Sequence, residues 1–506
     1  MSRPILPLRR CSSRTSPNEY PLCPACDVHS VSRGIIGFGA YVPRWRLDRQ
    51  AVKQALGWLS QGKGKAVGTR SYCNWDEDAL TLGVEAARDC LSSVSAQPDA
   101  IWLASTSLPF ADRSNSGLLA AALDIAPACH TLDSAGSLRA ATSALISALT
   151  NTSCALVVGS DARKARPASP QELAFGHAAA AVLVGNEQVI AEHLGSHSVA
   201  IDFVDHYRAT HAEFDYALEE RWVRDEGYQK IVPPAIAALL TRCAVSPSEI
   251  THLLMPTGPA ITTRLAKDCG IAATAVVDPL HTEIGDTGTG HPLLMLCHAL
   301  ETAAAGSLML LIGFGQGVDA LLFRVPTKKP SARPQRGVSG TVTAGKTDTM
   351  YTRYLAHQGL LDVDFGMRAE RDARTAQSAA YRRHRDLTAF VGGRCSQCKT
   401  LQFPYSRVCV NPNCRLTDTQ AAERIADVTG AVKSFTEDWL AYSPNPPLAY
   451  GNVNIGDGGN VFMEFADVEP GVLSVGLPVR MVFRIKDVDR VRGFHRYFWK
   501  ATPVGS

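Results

Sequence analysis

A chain of 506 residues is too long for one ordinary core and long enough for two or three domains. Apolar residues make up 45% and charged ones 20%, the balance of a globular protein rather than a disordered one. The formal charge of +3, spread along the chain, gives no electrostatic case for nucleic acid. No apolar run reaches the roughly 18 residues of a membrane span.

Residues 1–32 carry arginines but lack the apolar segment of a secretory signal, and are expected to be a disordered extension. The "CPAC" pair there, Cys23 and Cys26, is too few ligands for a closed metal site. Residues 33–326 alternate apolar runs such as "AIWLAS", "CALVVGS" and "LMLLIGFG" with helical stretches such as "DALTLGVEAARDCLSSV". That alternation predicts a layered α/β domain. "PTKKPSARPQRGVSGTVTAGKTD" (Pro326–Asp348) is rich in Pro, Gly, Ser and Thr and reads as a linker, 327–349. A charged helical arm over 350–392 follows, then a cysteine-rich segment over 393–420. Short β-like runs from 421 to 506 predict a small β-barrel. Fourteen cysteines without a paired framework indicate a reducing, cytoplasmic setting.

"RCSQCKTLQFPYSRVCVNPNC" supplies Cys395, Cys398, Cys409 and Cys414. Four thiolates in two close pairs on turn-forming sequence suit a tetrahedral Zn²⁺. Because such a site leaves no open position, the metal is structural.

Four segments carry a resemblance: "GIIGFGAYVPRWRLDR", "NWDEDALTLGVEAARDCL", "EERWVRDEGYQKIV" and "GFGQGVDA". They resemble 3-hydroxy-3-methylglutaryl-CoA synthase, a thiolase-superfamily enzyme, over residues 33–326. The remainder resembles a rubredoxin-like zinc ribbon joined to an OB-fold, a module that accompanies thiolase-like proteins. The resemblance implies a five-layered αβαβα fold, a homodimer, a tunnel for coenzyme A, and an acyl-CoA substrate. Another thiolase-family protein is a possible partner, whereas no nucleic acid or membrane is expected.

The family's chemistry uses a glutamate, an acylated cysteine, a histidine and an asparagine. On this chain the cysteine segment matches "DSAGS", placing Asp133 at the nucleophile, and the glutamate position falls on Thr106. The histidine position matches Leu254 in "LLMPTG", and the asparagine matches Asp286 in "IGDTGTGHP". A carboxylate is a far poorer acyl acceptor than a thiolate at a helix N-terminus. No acyl-enzyme is therefore expected. Aldol or retro-aldol chemistry on a β-hydroxyacyl-CoA remains, with Asp133, Asp286 and His291 as acid/base groups whose pKa values neighbouring carboxylates push apart. Gly313, Gly315 and Gly317 would offer amides to the thioester oxygen. Helix capping competes for Asp133, a turn role for Asp286, and packing for His177 and Cys297. Two other functions stay open: a synthase-type acyltransferase, and a non-catalytic scaffold for a separate thiolase.

Overall fold

In the computed structural model the described residues are 33–59, 66–151, 153–328, 333–369, 376–456 and 458–505. The extension over 1–32, with Cys23 and Cys26, lies outside them. Nine strands form the central layers: β1 (Gly34–Tyr41), β2 (Ala100–Ala104), β3 (His130–Ser134), β4 (Ala155–Asp161), β5 (Ala178–Gly185), β6 (Ala191–Ala200), β7 (His252–Leu254), β8 (Leu308–Phe314) and β9 (Gly317–Arg324). They make one mixed sheet in the order β7-β8-β9-β6-β1-β5-β4-β2-β3. Strand β2 runs parallel to β3 and β4, and β7 parallel to β8, while the other neighbours are antiparallel. Among the described residues, its two halves are joined where Gly34 and Ile35 of β1 pair with Glu192 and Ala191 of β6.

Side-chain alternation along these strands builds three apolar layers. Ala100, Trp102 and Ala104 of β2 face a middle core that also receives Met309 and Leu311 of β8. Ile101 and Leu103 face one outer layer, and Leu308, Leu310 and Ile312 face the other. The helices that pack these layers include α1 (Ala79–Leu91), α2 (Asn115–Ala122), α3 (Ala140–Thr150), α4 (Gln229–Arg242) and α5 (His291–Thr302). "AATSALISALT" and "HPLLMLCHALET" are apolar around most of their circumference, so α3 and α5 can fill the middle core between the halves. Helices α1 and α2 cover one outside face, and α4 with the helix Pro259–Asp268 covers the other. The stack reads helix, sheet, helix, sheet, helix, which is the thiolase-like α/β arrangement.

The expected linker is a correction. Gly337–Thr343 is helical, and Lys346–Asp348 adds a parallel strand beside Trp45–Leu47. Buried Asp89 accepts the Arg336 and Gly337 amides, and Glu301 accepts those of Val338 and Ser339. Those carboxylates lie far away in sequence, which is why composition alone reads as a linker. The expected arm is likewise broken into α6 (Tyr351–His357) and the short helices Gln377–Arg382 and His384–Leu387.

At the C-terminal end, β10 (Gly430–Asp438), β11 (Leu448–Ile455), β12 (Gly459–Glu464), β13 (Pro478–Asp489) and β14 (Phe494–Pro503) form a sheet ordered β12-β11-β10-β13-β14. Its two edges meet at a bridge between Phe465 and Ala501, so the sheet curls on itself. The apolar layer outside α1 continues into its interior through Phe483 and Trp499.

The motif "WDEDALTLGVEAAR" makes this junction. Asp78 caps α1 through the Thr81 amide, and its other oxygen accepts the Tyr497 hydroxyl at 2.7 Å. Lys500 reaches Asp76 at 2.9 Å. The fully buried Arg484 lies 3.0 Å from Glu77 and 2.8 Å from Asp467. Glu85 accepts the Phe483 amide at 3.0 Å and pairs with Arg88 at 2.8 Å.

Candidate active site

Strand β4 ends in the site's anchor. Asp161 is fully buried, and five donors satisfy it: the Ser105 hydroxyl (3.0 Å), the Thr106 amide (2.8 Å) and hydroxyl (3.0 Å), the Ser107 hydroxyl (2.8 Å) and the Thr289 amide (2.7 Å). This carboxyl group thus ties the loop after β2 to the "GDTGTG" turn before α5. Two residues on, Arg163 lies 2.9 Å from Asp286 and 3.6 Å from Asp215, its guanidinium stacked 3.9 Å over the Phe175 ring. Arg208 joins Asp215 at 3.0 Å and donates to the Thr106 carbonyl. Gly288 has φ +64°, and a Cβ there would lie 2.5 Å from the Asp161 carboxylate and 2.8 Å from Arg163 Nε. Only glycine allows that approach.

Asp286 is the carboxylate left partly open, its side chain 31% exposed. Burial alone would raise its pKa, but Arg163, then His291 and His281, outweigh that and hold it well below the usual carboxylate range. Its Oδ1 accepts the Gly288 amide at 2.9 Å. Tyr228, at the end of a π-helical turn leading into α4, packs 4.6 Å from the Phe314 ring. Burial, with the charges of Asp205 and Asp286, pushes its phenol out of the titrating range, so it stays a neutral donor.

His291 is placed differently from expectation. It is fully buried, its Nδ1 accepts the Thr287 amide at 2.9 Å, and its Nε2 donates to the Pro279 carbonyl at 2.8 Å. Burial and the neighbouring His281 lower its pKa to about 4. With both ring nitrogens bonded, it is a neutral staple of the turn rather than a proton carrier. The His281 ring lies 4.9 Å away, edge-on, and its buried Nε2 has no hydrogen-bond partner among the described residues. His177 bridges the Cys73 amide (3.0 Å) and the Arg163 carbonyl (3.0 Å).

Asp133 is a second correction. It lies inside β3, and its carboxylate accepts the Asn115 amide (2.8 Å), the Asn115 side chain (2.9 Å) and the Ser116 amide (2.7 Å). It therefore caps α2, the helix before it, rather than opening α3. Burial would raise its pKa, but those hydrogen bonds hold it below the ordinary value. Asp133 and Asp286 are both held ionised by separate partners, so they do not form a pair with divided pKa values. The residues that lead into α3 are Ser137, Leu138 and Arg139.

The glycine loop also departs from expectation. The Gly315 amide is spent on the Gly317 carbonyl at 3.1 Å, and the Gly315 carbonyl accepts Ser137 Oγ (2.8 Å) and Arg139 Nε (2.9 Å). The loop docks the start of α3 instead of presenting a free amide at Gly315. Leu254 closes β7 within the middle core.

Sequence reasoning missed Asp161, Arg163, Arg208, Asp215 and Tyr228. The signal was "SDARKAR", a charged pair directly after an apolar strand, where a solvated loop needs no such alternation. The β13–β14 hairpin packs on the loop after β2, since Arg113 lies 4.6 Å from the Phe110 ring and 5.0 Å from the Phe494 ring.

The cysteine cluster is compact. Cys395, Cys398, Cys409 and Cys414 place their sulfurs within 4.8 Å of one another, with Cys395–Cys414 at 3.8 Å and Cys398–Cys409 at 3.5 Å. Tetrahedral Zn²⁺ at about 2.3 Å from each sulfur requires separations of about 3.8 Å. The four thiols fit a metal ion.

The fold defines the class: a thiolase-like α/β domain with a C-terminal extension. Over about 60% of the chain it is similar to hydroxymethylglutaryl-CoA synthases. That of Pyrococcus furiosus is 27% identical over 304 residues, 58% of this chain and 85% of the relative. That of Aeropyrum pernix is 28% identical over 322 residues, 60% and 89% of the two chains. A hydroxymethylglutaryl-CoA synthase solved with coenzyme A superposes with a TM-score of 0.54 at 16% identity, covering 68% of this chain and 95% of that one. The 3-oxoacyl-(acyl carrier protein) synthase III of Pseudomonas aeruginosa gives 0.52 at 22%, covering 59% and 100%. No protein-family model matches the chain.

Proposed function

We propose that the protein makes or breaks a carbon–carbon bond in an acyl-CoA thioester without forming an acyl-enzyme. The observation that carries this reading is an ionised, solvent-reachable Asp286 whose charge acts on the neutral phenol of Tyr228, in a site without a thiol nucleophile. The residues that lead into α3, Ser137, Leu138 and Arg139, include no thiol. Cys297, the cysteine of α5, is buried with its Sγ against the Gly39 and Ala181 carbonyls, and burial pushes its thiol far above neutrality.

In the cleavage direction Asp286 takes the β-hydroxyl proton of a β-hydroxyacyl-CoA. The Cα–Cβ bond breaks, its electron pair passes to the thioester as an enolate, and the β-carbon leaves as a carbonyl compound. Tyr228 hydrogen-bonds the enolate oxygen, and the proton taken up by Asp286 returns to Cα, directly or through water, to give a shorter acyl-CoA. Arg163 keeps Asp286 charged and fixed. Asp133 and His291 support the site's walls.

The C-terminal part reads as a zinc ribbon on an OB-like barrel whose Phe494 packs against Arg113 of the loop after β2. Zn²⁺ on the four thiolates would be structural and would hold the ribbon's turns together. A second copy pairing along the free edge of β3, where Leu132 is exposed, would give a dimer. The test is intact mass after incubation with short acyl-CoA thioesters. The proposal expects turnover with no added acyl mass, and a stable adduct would return the protein to the acyltransferases.

A further inference from the structure

The barrel carries a cavity of its own. It lies where the two edge strands, β12 and β14, part from their bridge at Phe465–Ala501. The space is about 400 Å³, and its apolar wall includes Tyr450, Phe462, Met463 and Phe498. The Tyr450 and Phe462 rings meet edge-on at 5.6 Å, which leaves the Phe462 ring 64% exposed along the opening. An aromatic held in the open at a concave wall is the usual form of a binding surface rather than of a core.

The polar end is built from three charges. Lys500 is nearly fully buried and lies 2.9 Å from Asp76 and 3.1 Å from Glu464. Lys486 holds the other oxygen of Glu464 and is about half exposed at the rim. Asp76 and Glu464 balance the two lysines, and Lys486, about half exposed, is the one whose ammonium still has donors facing solvent. The groove thus offers an apolar floor with one partly exposed ammonium, that of Lys486, at its rim.

We propose that this groove binds an amphipathic carboxylate, an acyl chain of medium length whose head group meets Lys486. Size and charge select that class. A dry cavity of about 150 Å³ takes benzene, so one of this volume holds roughly 16 heavy atoms, close to a twelve-carbon acid. A cationic head would face the exposed ammonium of Lys486, and a large polar molecule would desolvate against the aromatic wall. The groove shares Leu448, Glu464 and Lys500 with the small cavity beside Asn74, Trp75 and Asp76, so occupancy bears directly on the junction with α1.

The experiment is calorimetric titration of the full chain with dodecanoate, in the presence of excess coenzyme A to occupy the thioester site. The expected result is saturable 1:1 binding that Phe462→Asp weakens at least tenfold. Lys486→Gln should weaken dodecanoate several-fold, and dodecyltrimethylammonium should bind at least tenfold less tightly than the acid. Both substituted side chains are exposed, and an unchanged circular dichroism spectrum and unfolding midpoint certify each variant. Absence of saturable binding, or binding that Phe462→Asp leaves intact, overturns the proposal. Binding that coenzyme A abolishes assigns the acid to the thioester site and overturns it as well.

Discussion

Replacing Arg484 by Met tests the junction between the α/β layers and the barrel. The guanidinium is fully buried and meets Glu77 at 3.0 Å, Asp467 at 2.8 Å and the Tyr41 hydroxyl at 2.9 Å. Methionine fills much of the same space, so the loss isolates the charge. Removing one partner of a buried ion pair costs about 3–5 kcal/mol, because the remaining carboxylates stay desolvated. The pH dependence adds a signature. Burial already raises Glu77 to about 7 against the opposing pull of Arg484. A carboxylate whose folded pKa exceeds its unfolded one binds more protons in the folded state, so its contribution to stability falls as pH rises through that window. Without Arg484, Glu77 moves higher still, and Asp467, which Arg484 helps to hold below its ordinary value, rises as well. Urea unfolding followed by tryptophan fluorescence, which Trp75 and Trp499 report from this junction, should show the full loss at pH 8 and less than half of it at pH 5.5. A deficit below about 1 kcal/mol at pH 8, or one equal at both pH values, would refute the reasoning.

Asp133→Ala should lower stability by about 1–2 kcal/mol through the lost cap on α2, with turnover per folded molecule unchanged in a steady-state assay. Elemental analysis should find about one Zn²⁺ per chain, and Cys398→Ser should release it and lower the unfolding midpoint. Since His291 is held neutral down to about 4 and Asp286 is ionised below the usual range, the pH–rate profile should show no limb near the ordinary histidine pKa. Gly288→Ala, which drives a methyl group onto Asp161 and Arg163, should reduce kcat well beyond its effect on KM.

The layered domain is legible in the sequence because strands such as Ala100–Ala104 and Leu308–Phe314 are apolar on both faces, and buried helices such as His291–Thr302 are apolar nearly all round. The cysteine cluster is legible for a different reason: all four ligands fall within twenty residues, so spacing alone brings them together. Asp133 is misplaced because "DSAGS" has the composition of a helix start, whereas "HTLDS" pairs with β2 as an edge strand. The roles of Asp76, Glu77 and Glu85 were hidden because Lys500, Arg484 and Phe483 lie about four hundred residues further on. Arg163 and Asp286, more than a hundred residues apart, meet only once α5 has packed between the sheet halves. Contacts of that range leave no local pattern.

The central claim is carbon–carbon chemistry carried by Asp286. The measurement that tests it most directly is mass-spectrometric product analysis of wild type and Asp286→Asn against a panel of β-hydroxyacyl-CoA thioesters. The account predicts that wild type releases a shorter acyl-CoA and a free carbonyl compound, and that Asp286→Asn, folded and still binding coenzyme A, loses at least a hundredfold of that rate. Cleavage untouched by the substitution, or no product from any thioester despite coenzyme A binding, would contradict it.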